Sequence, residues 1–130
     1  MRQIRFICIL TLFGLPALGQ ESCPVKLNDV RNVAMTVTVL FTNSSQSAID
    51  RAEFVVVLLD STAGEHYLPL IESNHHLNPG EGGTASISAS EIPQFLTVHA
   101  RAYLLDLTFT DGSVWNDDGS HACSLTALQE

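Results

Sequence analysis

Two consecutive apolar segments between Val33 and Asp60 constrain the fold of this chain more than any other feature of its sequence. In the first, apolar residues at odd positions from Met35 to Phe41 alternate with threonines and Leu40. This period of two predicts a half-buried β-strand, and the β-branched content disfavours a helix. In the second, Phe54–Leu59 is an unbroken apolar run, which is typical of a central strand covered on both faces.

Further strands are predicted on both sides of this pair. Val25–Leu27 is a candidate short edge strand with Lys26 pointing outwards. Glu65–Ile71 is a weaker strand, and Pro69 within it indicates a sheet edge because proline cannot donate to a ladder. After a loop with Asn-Pro-Gly and Gly-Gly turn formers, Thr84–Ala89 alternates again and predicts another short strand.

The longest extended segment is Leu96–Phe109. Its apolar residues occupy even positions in the first half and odd positions in the second, and a shift of one residue exchanges the two faces of a strand. We therefore predict a bulge or bend near Ala102–Leu104. The Asp-Gly of Thr110–Ser113 predicts a hairpin turn, and Val114 and Trp115 begin the returning strand. Trp115 is expected to be buried or half-buried, since tryptophan brings a large apolar surface.

About seven short strands, turn signals between them and no convincing helix predict an all-β fold. The favoured architecture is an immunoglobulin-like β-sandwich, and the alternative is a small β-barrel. In such a sandwich, consecutive strands can lie in opposite sheets. We therefore expect the polar connection Asn43–Ala48 to cross between sheets rather than close a hairpin.

The first 19 residues have the features of a secretory signal peptide. Arg2 and Arg5 precede the apolar run Phe6–Leu15, which is too short to span a bilayer, and small residues follow Pro16. Cleavage is predicted between Gly19 and Gln20, so that residues 20–130 form a single exported domain. We expect a secreted or periplasmic protein with no membrane span once the signal has been removed.

Three cysteines are present, and Cys8 leaves with the signal. The remaining Cys23 and Cys123 are an even pair near the two ends of an exported chain, which predicts a disulfide. Closing a loop of about 100 residues contributes up to ~4.7 kcal/mol on the chain-entropy argument. A redox pair is disfavoured because the two cysteines lack a C-x-x-C spacing.

The exported part of the chain is strongly acidic. All fourteen Asp and Glu residues lie after residue 20, where they outnumber four basic residues: Lys26, Arg31, Arg51 and Arg101. Such a surface repels phosphate backbones and anionic lipid headgroups. Nucleic acids and membrane surfaces are therefore disfavoured as partners, and the charge favours solubility.

A set of turn motifs resembles small bacterial secreted β-sandwich domains of the FxLYD type. These domains carry an Asn-Ser or Asn-Thr turn, a Phe-x-Leu-Tyr-Asp strand end, a glycine turn and a Pro-Gly turn. The matching residues here are Asn43-Ser44, Val56–Asp60 (with Val56 and Leu59 in place of the Phe and Tyr), Gly64 and Pro79-Gly80. The tail Phe109–Ser120 is similar to that of uncharacterised exported bacterial proteins. The resemblance implies the fold and an extracytoplasmic location, and no catalytic residues.

Two groups of residues are weak candidates for metal ligands. His75 and His76, with His121, His66 or His99, contain the ligand type that zinc and copper prefer. The acidic tail offers oxygen ligands for calcium from Asp111, Asn116, Asp117 and Asp118. Neither group has the spacing of an established metal motif, so a solvated loop and ordinary turn chemistry are the simpler interpretations.

Catalytic motifs are missing from the sequence. It has no G-x-S-x-G elbow, and no free cysteine is expected beside a histidine. Asn43-Ser44-Ser45 matches the N-glycosylation pattern but is interpreted as a turn. The leading hypothesis is an exported non-enzymatic module, structural or protein-binding, that needs no cofactor and binds another envelope or extracellular protein. The alternatives are an extracytoplasmic metal-binding protein and a small hydrolase.

Overall fold

The computed structural model describes residues 23–33, 35–62, 64–88 and 97–128, and within these ranges it contains nine β-strands and no helix. The predicted signal peptide lies outside the described residues, as do Ala89 and Leu96. The strands are β1 (Val25–Val33), β2 (Thr36–Asn43), β3 (Ile49–Asp60), β4 (Glu65–Tyr67), β5 (Ile71–Ser73), β6 (Gly82–Ser88), β7 (Thr97–Phe109), β8 (Val114–Asn116) and β9 (Ser124–Leu128).

These strands form two antiparallel sheets. The small sheet has the order β1-β2-β6. In the large sheet β3 and β7 pair at the centre, β4 and β5 line the outer side of β3, and β8 and β9 line the outer side of β7. Neither sheet closes on itself, so the predicted β-sandwich is confirmed and the barrel alternative is wrong.

The core lies between the two sheets. Val37, Val39 and Phe41 point inwards from β2, as the alternation predicts, and are at most 1% exposed. The ring of Phe41 meets that of Phe54 on β3, with centroids 4.9 Å apart and planes tilted by 53°. Each such buried side chain contributes roughly 1.5–3 kcal/mol by leaving water. Trp115 is half-buried against this core, as predicted.

The apolar run of β3 is buried on both faces, which confirms its central position. Val56 and Leu58 face the core. Val55 and Val57 face the other way, opposite Tyr103 and Arg101 of β7, and are also buried. The connection Asn43–Ala48 leads from the small sheet to the large one, so the expected crossing between sheets is confirmed.

The bulge in β7 exists, although it lies slightly later than predicted. Phe54 pairs with Leu104 and Glu53 pairs with Asp106, which leaves Leu105 as the extra residue. Leu104 is fully buried and continues the even-numbered inner face, so the phase changes after it rather than at Ala102–Leu104.

Three other predictions need correction. Met35 is half-exposed and has a φ of 65° in the turn between β1 and β2, so it lies outside the inner face of β2. The predicted strand Glu65–Ile71 divides around Pro69 into β4 and β5, which both pair with β3. The sequence pattern does not predict the short strand β9, and β1 continues to Val33. The described ranges of the chain therefore hold nine strands rather than about seven.

Cys23 and Cys123 form the predicted disulfide, with Cα atoms 5.4 Å apart. Cys23 lies just before β1 and Cys123 just before β9, so the bond fastens an edge strand of the small sheet to an edge strand of the large sheet. The described part of the chain contains no helix of the length and apolarity that a membrane crossing requires.

Candidate functional site

Asn43 is the centre of the hydrogen-bond network at one end of the sandwich. Its side chain is fully buried. The amide nitrogen donates to the carbonyl oxygens of Ser47 (2.9 Å) and Leu77 (3.0 Å), and the amide oxygen accepts from the backbone nitrogen and hydroxyl of Ser45 (3.0 and 2.7 Å). The Asn-Ser-Ser motif is therefore a structural turn, and its amide is not accessible as a glycosylation acceptor in the folded protein.

Asp60, Gly64 and Gly80 also fix turns. One oxygen of Asp60 accepts hydrogen bonds from the nitrogen and hydroxyl of Thr62 and from the nitrogen of Gly64, and the other oxygen lies 3.0 Å from Nε2 of His66. These contacts, led by that of His66, hold the pKa of Asp60 well below its usual range. A Cβ on residue 64 would lie 2.6 Å from the Asp60 carboxylate, which explains the glycine. Gly80 has a positive φ of 89° and donates to the Asn43 carbonyl oxygen.

The paired histidines His75 and His76, which the sequence offers as weak candidates for metal ligands, have different environments. Nδ1 of His76 lies 3.0 Å from Asp50 and Nε2 lies 3.2 Å from Asn78, and these contacts raise the pKa of His76. The same Asp50 oxygen accepts a hydrogen bond from the Thr110 hydroxyl at 2.9 Å. His75 instead lines a surface cleft. His76 therefore joins the loop before β6 to the ends of β3 and β7.

The acidic tail is likewise engaged in turns. Asp111 accepts hydrogen bonds from the hydroxyl and nitrogen of Ser113, and Asp118 accepts one from the nitrogen of Ser120. Hydrogen bonding to the side chain and backbone of Ser113 lowers the pKa of Asp111, and hydrogen bonding to the side chain and backbone of Ser120 lowers that of Asp118. Asp117 accepts from the nitrogens of Gly119 and His121. The His121 ring stacks on Tyr103 at 3.8 Å. Across the described ranges, no three metal-ligating side chains converge on one point.

A cluster that the sequence does not reveal lies on the outer face of the large sheet. Arg51 contacts three acids: Glu53 at 2.5 Å, Glu72 at 2.6 Å and Asp106 at 3.8 Å. One guanidinium cannot neutralise three carboxylates. Hydrogen bonding with Asp106 and burial raise the pKa of Glu53 to about 7, while Arg51 lowers that of Glu72. The residues are up to 55 positions apart in the sequence, and strand pairing alone brings them together.

Two surface clefts lie away from this cluster. The larger has a volume of about 410 Å³ and is lined by Leu40, Phe41, Leu77, Gly82, Gly83, Thr84, Asn28 and His75. The smaller, of about 240 Å³, lies beside β8 and the turn after it. Neither cleft is lined by Glu53, whose raised pKa would suit proton transfer.

Most edges of the two sheets are protected against pairing with another chain. β1 carries Lys26, Asp29 and Arg31, and its register shifts at Asn28. β4 and β5 have three residues each, with Pro69 between them, and β8 and β9 have three and five. Charge, bulges and shortness are the usual means by which strand edges avoid association.

The edge strand β6 lacks all of these protections. Its seven residues, Gly-Gly-Thr-Ala-Ser-Ile-Ser, include no charge and no proline. All seven pair with β2 in one unbroken register. Within the described residues, its backbone makes no hydrogen bond outside that ladder, so no described strand pairs with the side of β6 that faces away from β2. The larger cleft lies at its Gly82 end. We take this β6 edge as the candidate functional site.

Comparison with known proteins gives a fold and no identity. No family profile and no curated protein sequence matches the chain. The fold is similar to a hypothetical protein from Peptoclostridium difficile 630, with 11% identity and a TM-score of 0.51 over 75% of this chain and 88% of that one. It is also similar to the archaellum periplasmic stator complex of FlaF and FlaG from Sulfolobus acidocaldarius, with 12% identity and a TM-score of 0.47 over 88% and 99%. The first likeness supports the sandwich fold and nothing beyond it.

Proposed function

We propose that this chain is an exported, non-enzymatic module that binds another protein through the β6 edge. The observation that carries the proposal is the absence of charge, bulge and proline from this one strand, while the other described edges have at least one protection. An open edge gains main-chain hydrogen bonds when an extended segment adds to it, and a neighbouring cleft can accept side chains of that segment.

The location outside the cytoplasm rests on the disulfide. Bonds such as Cys23–Cys123 persist in oxidising compartments and are rare in the cytosol. The acidic surface disfavours nucleic acid and anionic lipid, which leaves protein as the preferred class of partner.

The non-enzymatic part of the proposal rests on how the polar side chains are used. Asp60, Asp111 and Asp118 accept hydrogen bonds from turn backbones, and His76 pairs with Asp50. The carboxyl of Glu53, whose pKa is raised, lies outside both clefts. A substrate that met it there would not be enclosed by a pocket. The hydrolase and metal-binding alternatives have no comparable support in the described residues.

Site-directed photo-cross-linking in the protein's own extracytoplasmic compartment tests the proposal. A photo-reactive residue replaces Thr84 on β6 or, as a matched control, Thr126, which is an exposed threonine on edge strand β9. We expect a discrete protein adduct from position 84 and none from position 126. Equal labelling from both positions, or none from either, would overturn the proposal.

A further inference from the structure

The sequence of β6 is complementary to itself, and from this we infer that the segment it binds is β6 of a second copy of the chain. The inference rests on the proposed function, because it names the occupant of the same edge. Antiparallel pairing about a twofold axis at Ala85 aligns all seven residues of both strands. It joins the two small sheets into one sheet of six strands.

On the outer face, this register pairs hydroxyl groups. Thr84 of one copy lies opposite Ser86 of the other, and the symmetry repeats the pair. The same chemistry already occurs within the small sheet, where the hydroxyls of Thr38 and Ser86 are 2.9 Å apart. Hydroxyl pairs of this kind stabilise neighbouring strands, so β6 offers a second copy the same type of contact that it makes with β2.

On the inner face, the register pairs a large side chain with a position that has none. Ile87 is half-buried at the open edge, and Gly83 of the other copy lies opposite it. A Cβ at Gly83 would lie 2.7 Å from Leu77 and 3.1 Å from the Phe41 ring, so a larger residue there would have to displace these two side chains. A small residue thus suits each copy at the position that Ile87 of the second copy would cover.

Charge also favours a second copy at this strand over any other edge. An isologous contact brings the same set of side chains from both copies together, so a strand with a net charge would repel its duplicate. β6 has no charge in a chain with fourteen acidic and six basic residues. The strand β5, which lies against β6 across the sandwich, carries Glu72, which forms an ion pair with Arg51 at 2.6 Å. The remaining long-range repulsion between two acidic chains is screened by salt, so salt should strengthen the dimer.

Sedimentation of the purified, oxidised protein tests the inference, with concentrations up to about 500 µM because a single strand pair forms a weak interface. We expect reversible dimers that strengthen between low and high salt. The double variant Thr84→Lys/Ser86→Lys places like charges directly opposite in the proposed register and should raise the dimer Kd at least about tenfold. The control Ser124→Lys/Thr126→Lys makes the same chemical change on β9 and should dimerise like the unchanged protein.

A charge-swap experiment tests the register itself. Mixing the lysine double variant with Thr84→Glu/Ser86→Glu brings opposite charges together across the axis, so heterodimers should form although neither variant pairs with itself. Circular dichroism and thermal melting confirm that all variants are folded. Dimers that survive both β6 variants would overturn the inference.

Sedimentation and photo-cross-linking together distinguish a failure of self-pairing from a failure of the proposed function. A protein that stays monomeric to about 500 µM, yet gives an adduct with a different protein from position 84, refutes self-pairing and retains β6 as a binding edge. A protein without dimers and without adducts refutes both. Dimers lost in the β6 variants and retained in the β9 control support self-pairing and the role of β6 as a binding edge.

Discussion

Replacing Asn43 with alanine should destabilise the sandwich strongly, because this side chain anchors the connection that crosses between the two sheets. The change removes four hydrogen bonds from a fully buried side chain. Both carbonyl oxygens that lose the Asn43 amide keep a second donor. The Leu77 carbonyl accepts from the nitrogen of Ile49, and the Ser47 carbonyl accepts from the Ser45 hydroxyl. The backbone nitrogen of Ser45 loses the Asn43 oxygen, its partner at 3.0 Å.

At about 0.5–1.5 kcal/mol for each bond, and with two carbonyls still satisfied, we expect a loss of about 3 kcal/mol in the free energy of unfolding. Urea unfolding of the oxidised protein measures it. With m about 1.5 kcal/mol/M, the midpoint should fall by about 2 M at unchanged m. The control is Asn74→Ala, because Asn74 is exposed and makes one bond of 3.3 Å to Glu72; it should cost less than about 0.5 kcal/mol.

The variant Asn43→Asp distinguishes the hydrogen bonds that the Asn43 side chain accepts from those that it donates. It keeps the acceptor for Ser45 but directs a carboxylate at the carbonyl oxygens of Ser47 and Leu77, which at neutral pH should cost more than the alanine variant. Protonation in acid should recover part of this loss. A cost for Asn43→Ala below about 1 kcal/mol, or equal to that of Asn74→Ala, would refute the structural role given to Asn43.

Three further predictions concern other contacts. Replacing both Cys23 and Cys123 with alanine should lower the free energy of unfolding by up to ~4.7 kcal/mol, because the bond closes a separation of 100 residues; calorimetry of the variant and the oxidised protein measures this. Gly64→Ala should lower the melting temperature by about 5 °C, and by less in an Asp60→Ala background, since the added Cβ meets the Asp60 carboxylate. The raised pKa of Glu53, about 7 against 4.5, means that the folded state binds more protons between these values, so stability should fall as pH rises through this window. Glu53→Gln should flatten that fall in urea titrations at a series of pH values, and an unchanged slope would contradict the assignment.

The strands that the sequence predicts well are those with a strong local pattern. β2 alternates because one of its faces is buried, and the apolar run of β3 is unbroken because both of its faces are buried. The structure shows both arrangements. The phase change in β7 predicts its bulge to within about one residue, because an extra residue must exchange the faces. The prediction that Met35 lies on the inner face of β2 is wrong. The apolar alternation continues into the turn before β2, and the position of that turn depends on the pairing register rather than on the alternation.

The candidate sites depend on pairing between distant segments and could not be predicted in the same way. Glu53 meets Asp106 through the β3–β7 register, and Glu72 reaches Arg51 through the short strand β5. The sequence shows that Gly82–Ser88 has no charge. Whether that strand has a partner on both sides depends on the strand order, which local patterns do not specify. His76, Asp111, Asp117 and Asp118, which the sequence singles out, are instead engaged in separate turns and pairs.

Amide hydrogen exchange along β6 tests the central claim most directly, because it reports on each backbone group of the edge in the unmodified, oxidised protein. Alternate amides of Gly82–Ser88 point away from β2 in an antiparallel ladder. We predict that these amides exchange rapidly at about 5 µM protein and at least about tenfold more slowly at about 500 µM, while the amides of β9 keep their rates. Slow exchange of all seven amides in dilute solution, or rates independent of concentration, would contradict an open edge that pairs with a second copy.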